Sequence, residues 1–141
     1  MSSRHTPDDQ PAPTVLVVED SESVRTLTAR LLVGEGYPVV TALDGVEAIE
    51  VLERSSIRIV VTDLKMPRMG GQALAAQVKA RWPGVRMVFM TGHPEVLRAA
   101  QLPGPVLLKP FRLDELAVTI RGLVDGDRDG TAGGPGRSAE R

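Results

Sequence analysis

Five short apolar runs alternate with helical patterns along most of the chain, and this alternation restricts the fold more than any other feature. The runs carry apolar side chains on both faces, which is typical of parallel strands that are covered on two sides. They lie at residues 14–18, 38–42, 57–63, 87–91 and 106–109. Strands that alternate with helices form a parallel sheet with helices on both faces, joined by right-handed crossovers. We therefore predict an α/β fold with a doubly wound, five-stranded parallel sheet.

The segments between the strands carry apolar residues at the spacing of one helix face. In the first helix this face is formed by Val24, Leu27, Leu31 and Leu32, which we expect to be buried. Pro94 suits the first turn of a short fourth helix, because its missing N–H group is not needed there.

Length and composition restrict the domain organisation and the class of protein. The 141 residues fit one domain, predicted at residues 14–125, between a disordered tail at 1–13 and a flexible, Gly-rich tail at 126–141. A net charge of -1 gives no general attraction to nucleic acid or to a membrane surface. The absence of cysteine fits a reducing compartment, and no apolar run approaches the length of a membrane span. We therefore expect a cytoplasmic protein without nucleic-acid or membrane partners.

Polar residues end four of the five strands. Glu19 and Asp20 follow the first strand, Asp63 ends the third, Thr91 ends the fourth and Lys109 ends the fifth. Binding sites of such sheets form beyond the carboxyl ends of the strands. Three carboxylates at one edge repel one another unless a cation joins them, and a set of oxygen ligands favours a hard ion such as Mg²⁺.

This set of residues fits phosphoryl transfer. Asp63 is suited to be the nucleophile that accepts a phosphoryl group, while Mg²⁺ and Lys109 neutralise its charge. Taken alone, Asp20 is equally suited to cap a helix, and Thr91 to satisfy a buried backbone group. The lysines are more specific, because two of the three in the chain, Lys65 and Lys109, flank the predicted site among fourteen arginines elsewhere.

Four motifs in this order resemble the response regulator receiver domain of two-component signalling, in its single-domain form. The motifs are Glu19-Asp20 after two valines, Thr62-Asp63 through Gly70-Gly71, Met90-Thr91-Gly92, and Leu108-Lys109-Pro110-Phe111. The resemblance extends over residues 14–125 and implies a flavodoxin-like fold with strand order 2-1-3-4-5. It also implies a cis peptide bond between Lys109 and Pro110.

The resemblance assigns a role to each residue at the strand ends. Asp63 is implied as the phosphoacceptor, Thr91 as the switch hydroxyl and Lys109 as the phosphoryl-binding lysine. The implied Mg²⁺ ligands are Glu19, Asp20, Asp63 and the backbone carbonyl of Lys65. The implied phosphodonor is a histidine kinase or a histidine phosphotransfer protein, and the protein is expected to be a signalling domain rather than an enzyme with turnover.

Output is expected through a conformational change on the face formed by the fourth helix, fifth strand and fifth helix. A downstream protein target would bind this face, and the protein is expected to be a monomer or a phosphorylation-dependent dimer. No helix-turn-helix pattern follows the domain, so direct DNA binding is not expected.

The sequence departs from the family pattern at three points. Val106 stands three residues before Lys109, where receivers usually carry an aromatic residue that couples phosphorylation to output. The stretch between Thr91 and Lys109 is shorter than usual by about one helical turn, roughly four residues. Lys65 and His93 occupy variable positions that tune dephosphorylation in the family, and we hypothesise that they alter the phosphoryl lifetime here.

Three other functions remain open at this point. One is a receiver-like scaffold that binds partners without being phosphorylated. It remains open because Val106 replaces the aromatic residue that usually couples phosphorylation to output. An aspartate-nucleophile phosphatase of the haloacid dehalogenase type needs a second acid two residues after the nucleophile, where Lys65 stands. A flavodoxin would cradle phosphate in its first loop, where Glu19 and Asp20 would repel an anion.

Overall fold

The protein is described by a computed structural model that covers residues 12–95 and 101–128. Strands and helices alternate through these residues. In chain order they are β1 (Val15–Val18), α1 (Glu22–Gly34), β2 (Val39–Ala42), α2 (Gly45–Arg54), β3 (Ile59–Asp63), α3 (Gly71–Arg81), β4 (Arg86–Thr91), β5 (Val106–Leu108) and α4 (Leu113–Arg128). Here α4 is the fifth helix of the sequence prediction. The predicted fourth helix has Pro94 in its first turn, and the next residues, 96–100, lie outside the described residues.

The five strands form one parallel sheet in the order β2-β1-β3-β4-β5. Both the strand order and the parallel pairing were predicted, and both are confirmed. The interior strand β1 has no exposed side chain, because β2 and β3 flank it and helices cover both faces.

Two apolar clusters lie on opposite faces of the sheet because successive side chains of a strand point in opposite directions. On one face, Leu16 and Phe89 pack in a cluster with residues of α2 and α3. On the other face, Val15 and Val17 pack in a cluster with residues of α1 and α4, such as Leu32. The predicted covering of both faces is therefore confirmed.

Two details of the helices differ from the sequence prediction. Leu27, predicted in the buried face of α1, is 55% exposed. The buried positions are Leu32 and Thr28, whose hydroxyl donates to the carbonyl of Val24 at 2.7 Å and is thereby satisfied. Helix α4 continues to Arg128, so residues 126–128, predicted as the start of a tail, belong to its last turn. Among the described residues, no helix combines the length and apolar character that crossing a membrane requires.

Candidate functional site

The carboxyl edge of the sheet places the predicted site residues on neighbouring strand ends. Glu19 and Asp20 follow β1 directly, and Asp63 is the last residue of β3. Thr91 ends β4, and Lys109 follows β5, which ends one residue earlier than predicted. The Lys109 amide donates to the carbonyl of Thr91, which ties the last two strand ends together.

Three carboxylates converge at this edge. Glu19, Asp20 and Asp63 each offer one oxygen, and these oxygens lie within 4.8 Å of one another. Glu19 is 1% exposed and Asp63 is 9% exposed, whereas Asp20 lies at the surface. The backbone holds Glu19 in place, since the Ser21 amide donates to its Oε2 at 3.1 Å. Arg25 Nη1 donates to the Glu19 carbonyl at 2.9 Å and further fixes the loop after β1.

Lys109 joins two of the carboxylates. Its Nζ donates to Glu19 Oε1 at 3.0 Å and to Asp63 Oδ2 at 3.2 Å. One ammonium group does not neutralise three carboxylates, so the cluster retains negative charge. Carboxylate oxygens are the donors that a hard divalent cation prefers, and the three residues fit Mg²⁺ by their chemistry and their spacing.

Burial and pairing shift the pKa values of Glu19 and Lys109. Burial raises the pKa of Glu19 above its usual 4.5, although the hydrogen bond from Lys109 opposes this shift. Burial by itself lowers the pKa of Lys109. The hydrogen bond to Glu19 and the attraction of Asp63 outweigh burial, so that its pKa lies above the usual 10.5. Lys109 therefore carries its positive charge at neutral pH.

The two oxygens of Asp63 have different partners. Oδ2 faces Lys109, while Oδ1 accepts a hydrogen bond from the Leu64 amide at 2.9 Å. The same amide lies 3.1 Å from the carbonyl of Met90 on the neighbouring strand. The orientation of the carboxylate therefore depends on the backbone that immediately follows β3.

That backbone, residues 64–70, will be called the β3–α3 loop. Gly71, which follows it, donates from its amide to the Leu64 carbonyl at 2.9 Å. A Cβ atom at Gly71 would lie 2.5 Å from the carbonyl oxygen of Asp63, so the path of the loop requires glycine here. Lys65 lies in this loop with an exposed side chain, and the role of its carbonyl as a metal ligand stays a prediction.

Arg68 and Asp44 are two residues near the site that sequence reasoning missed. Arg68 has a φ of 66°, in the left-handed region that residues other than glycine rarely adopt. Its guanidinium binds the carboxylate of Asp44 at the N-terminus of α2, with Nε 2.8 Å from Oδ2. Asp44 before Gly45 signals a helix cap in the sequence, but nothing in the sequence indicates its partner on the loop.

Two of the residues that depart from the family pattern are Val106, which begins β5, and His93, which follows β4. Val106 is half-buried, pairs in register with Phe89 and packs against the cluster that contains α2 and α3. His93 is exposed, and its amide donates to the hydroxyl oxygen of Thr91 at 3.1 Å.

The predicted cis peptide bond between Lys109 and Pro110 is present.

The fold and the acidic edge together define a receiver domain of two-component signalling. The family model described as the response regulator receiver domain matches residues 15–121, and the chain belongs to this family. The resemblance stated from the sequence is therefore confirmed.

Relatives and solved structures agree with this family. The chain is 37% identical over 118 residues to the sensor kinase CckA of Brucella abortus (strain 2308), covering 79% of this chain and 12% of CckA. It is 34% identical over 114 residues to the DNA-binding transcriptional regulator NtrC of Escherichia coli (strain K12), covering 78% of this chain and 24% of NtrC. The chain thus spans less than a quarter of these two relatives.

A solved structure of the response regulator TrrA from Thermotoga maritima, in complex with Mg²⁺ and BeF, has the same fold. It superposes with a TM-score of 0.70 at 25% identity, over 78% of this chain and 97% of that chain.

Proposed function

We propose that this protein accepts a phosphoryl group on Asp63 from a histidine kinase or a histidine phosphotransfer protein, in a reaction that requires Mg²⁺. The observation that carries the proposal is the position of Lys109 Nζ, 3.2 Å from Oδ2 of Asp63. Asp63 is one of three acidic residues whose carboxylate oxygens lie within 4.8 Å of one another. A nucleophilic carboxylate, a fixed ammonium and a hard-cation site are the parts that phosphoryl transfer uses.

In the proposed reaction an oxygen of Asp63 attacks the phosphorus of a phosphohistidine. A P–O bond forms as the P–N bond breaks, and the imidazole leaves with the electron pair and takes a proton from water. The Leu64 amide orients the carboxylate through Oδ1, and Lys109 neutralises charge at Oδ2 and on the arriving group. Thr91, buried at the next strand end, would then donate its hydroxyl to a phosphoryl oxygen.

The Mg²⁺ ion would be held by Glu19, Asp20 and Asp63, with the Lys65 carbonyl as a further ligand. When bound, it supplies positive charge to the phosphoryl oxygens. The TrrA structure contains Mg²⁺ and BeF, which supports the same requirement in this chain. The proposed output is a conformational change on the face of β5 and its flanking helices that a downstream protein recognises.

The test is phosphorylation by acetyl phosphate, with intact mass as the measurement. Wild type should gain one phosphoryl group with Mg²⁺ and none with EDTA, and Asp63→Asn should gain none. Asp114→Asn, which removes an exposed carboxylate on α4, is the matched control and should behave as wild type. If wild type stays unmodified both here and with a phosphorylated kinase, the proposal is wrong, and a receiver-like scaffold that binds without phosphorylation replaces it.

A further inference from the structure

The β3–α3 loop is fastened to the start of α2 at two adjacent points. Arg68 donates from Nε to Asp44 Oδ2 at 2.8 Å and from Nη2 to Oδ1 at 3.2 Å. Beside this pair, the Gly45 amide donates to the carbonyl of Met69 at 3.0 Å. Consecutive residues of the loop therefore bind consecutive residues of the helix start.

The Asp44 side of this contact is fixed. Its side chain is only 6% exposed, and Oδ1 also accepts a hydrogen bond from the Glu47 amide at 2.9 Å as the N-cap of α2. Gly45 allows the loop to approach closely, since a Cβ atom there would lie 2.6 Å from Cγ of Met69. Asp44 is therefore an anchored acceptor, not a mobile surface carboxylate.

The Arg68 side of the contact is conformationally costly. A φ of 66° is unfavourable for arginine, because its Cβ crowds the backbone in the left-handed region. Such a conformation persists only where the surroundings hold it. The two-pronged bond to Asp44 is the side-chain contact that holds this one, beside backbone bonds from the Met69 amide to the Pro67 carbonyl and from the Gly45 amide to the Met69 carbonyl. Without the side-chain bond, we expect the loop to sample other conformations more often.

We propose that Asp44 and Arg68 form a clamp that positions the β3–α3 loop for phosphoryl and metal binding. The clamp keeps the Leu64 amide on Oδ1 of Asp63, and it would hold the carbonyl of Lys65 in the position that its predicted role as a metal ligand requires. Asp44 and Arg68 touch neither of the reacting groups, so they are positioning residues. The predicted effect of the clamp on phosphorylation and Mg²⁺ binding rests on the proposed function, but its effect on the order of the loop does not.

Arg68→Gly removes the clamp and tolerates the left-handed backbone, while Asp44→Asn removes the clamp without the added backbone freedom of glycine. We expect backbone hydrogen exchange to accelerate at Leu64 and Gly71. The Mg²⁺ affinity, measured by calorimetry, and the phosphorylation rate should each fall about tenfold, which is the usual effect of losing a residue that orients metal ligands. Thermal stability should change little, since the relief of strain offsets the lost ion pair. Arg68→Lys keeps the positive charge but cannot bind both oxygens of Asp44 as the guanidinium does, so its Mg²⁺ affinity should lie between those of Arg68→Gly and wild type.

Two further variants separate the clamp from a general effect of charge. Asp44→Asn keeps a side-chain cap and should reproduce the effects of Arg68→Gly on hydrogen exchange and Mg²⁺ affinity, while the double variant should be no worse than either single variant in these two measurements. Arg81→Ala removes an ion pair that joins α2 and α3 away from the loop, formed with Glu53 at 2.7 Å, and should leave exchange at Leu64 and Gly71 and Mg²⁺ affinity unchanged.

The outcomes distinguish this inference from the proposed function. Unchanged exchange at Leu64 and Gly71 in Arg68→Gly overturns the clamp, whether or not wild type is phosphorylated. Faster exchange with unchanged Mg²⁺ affinity overturns its positioning role. A wild type that exchanges as expected but accepts no phosphoryl group overturns the proposed function and leaves the clamp as a property of the loop alone.

Discussion

Lys109 Nζ lies 3.2 Å from Oδ2 of Asp63, although 46 positions separate the two residues. Their strands are not neighbours, because β4 lies between β3 and β5 in the sheet. The lysine side chain therefore reaches across the end of β4 to the carboxylate of Asp63, and its Nζ also donates to Glu19, which follows β1, at 3.0 Å. The ammonium group therefore binds two of the carboxylates, Glu19 and Asp63, that would also hold the proposed Mg²⁺ ion.

Replacing Lys109 should separate metal affinity from phosphoryl acceptance. Lys109→Met removes a positive charge beside the carboxylates, so Mg²⁺ should bind more tightly, by about fivefold for an interaction of about 1 kcal/mol. Phosphorylation by acetyl phosphate should nevertheless become much slower, because the charge that would neutralise the phosphoryl oxygens is gone. Titration calorimetry and intact mass would measure the two effects, and weaker Mg²⁺ binding in the variant would contradict this account.

Asp20→Asn should have opposite effects on stability with and without metal. Without Mg²⁺, it relieves repulsion within the acidic cluster, so the variant should melt at a higher temperature than wild type. With Mg²⁺, wild type should gain stability through ligand binding, and the variant should gain much less. Thermal melts in EDTA and in saturating Mg²⁺ would show this crossing, and an equal gain in both proteins would exclude Asp20 as a ligand.

The meeting of Glu19, Asp63 and Lys109 was predictable because it depends only on chain direction. Parallel strands place their carboxyl ends at one edge, so residues that end separate strands converge there however far apart they lie in sequence. Alternating strand and helix patterns were sufficient to identify those ends. These patterns do not predict the order of the strands in the sheet, which came from the family resemblance alone.

The clamp between Asp44 and Arg68 was not predictable by the same means. It depends on the path of a loop whose Arg68 adopts a conformation that its residue type disfavours, which no propensity indicates. The exposed Leu27 was mispredicted for a related reason. Thr28 takes the buried position next to it because its hydroxyl finds a partner in the preceding helical turn, whereas the pattern assigned burial by polarity alone.

Lys65 and His93 should set the lifetime of the phosphoryl group. Both side chains are exposed at the edge that carries Asp63, where they would crowd the attacking water. Lys65→Ala and His93→Ala should therefore change the rate at which phosphorylated protein decays, without preventing phosphorylation. The decay of the phosphorylated mass after removal of the donor measures this rate, and the hypothesis is wrong if both variants decay as wild type does.

Gly45 and Gly122 should respond oppositely to the same substitution. Gly45→Ala would bring Cβ within 2.7 Å of Met69, so it should destabilise the fold by about 1–3 kcal/mol, as overpacking usually does. Gly122 lies inside α4 with nothing within 4 Å of its Cβ position, so Gly122→Ala should stabilise by about 0.5–1 kcal/mol. Urea denaturation would measure both. A neutral Gly45→Ala would show that the β3–α3 loop yields easily, against the tight contact described here.

The Asp44–Arg68 pair should make the free energy of unfolding depend on pH in the acidic range. The hydrogen bond from Arg68 is the main cause that lowers the pKa of Asp44 below its ordinary value of 3.8. The ionised carboxylate therefore stabilises the fold above pH 3.8, and this contribution is lost as pH falls through the lower, folded-state value. Asp44→Asn cannot titrate, so its deficit in unfolding free energy relative to wild type should be full near neutral pH and should shrink below pH 3.8. Urea denaturation of both proteins across this range measures the deficit, and a deficit that stays constant would show that ionisation of Asp44 does not contribute.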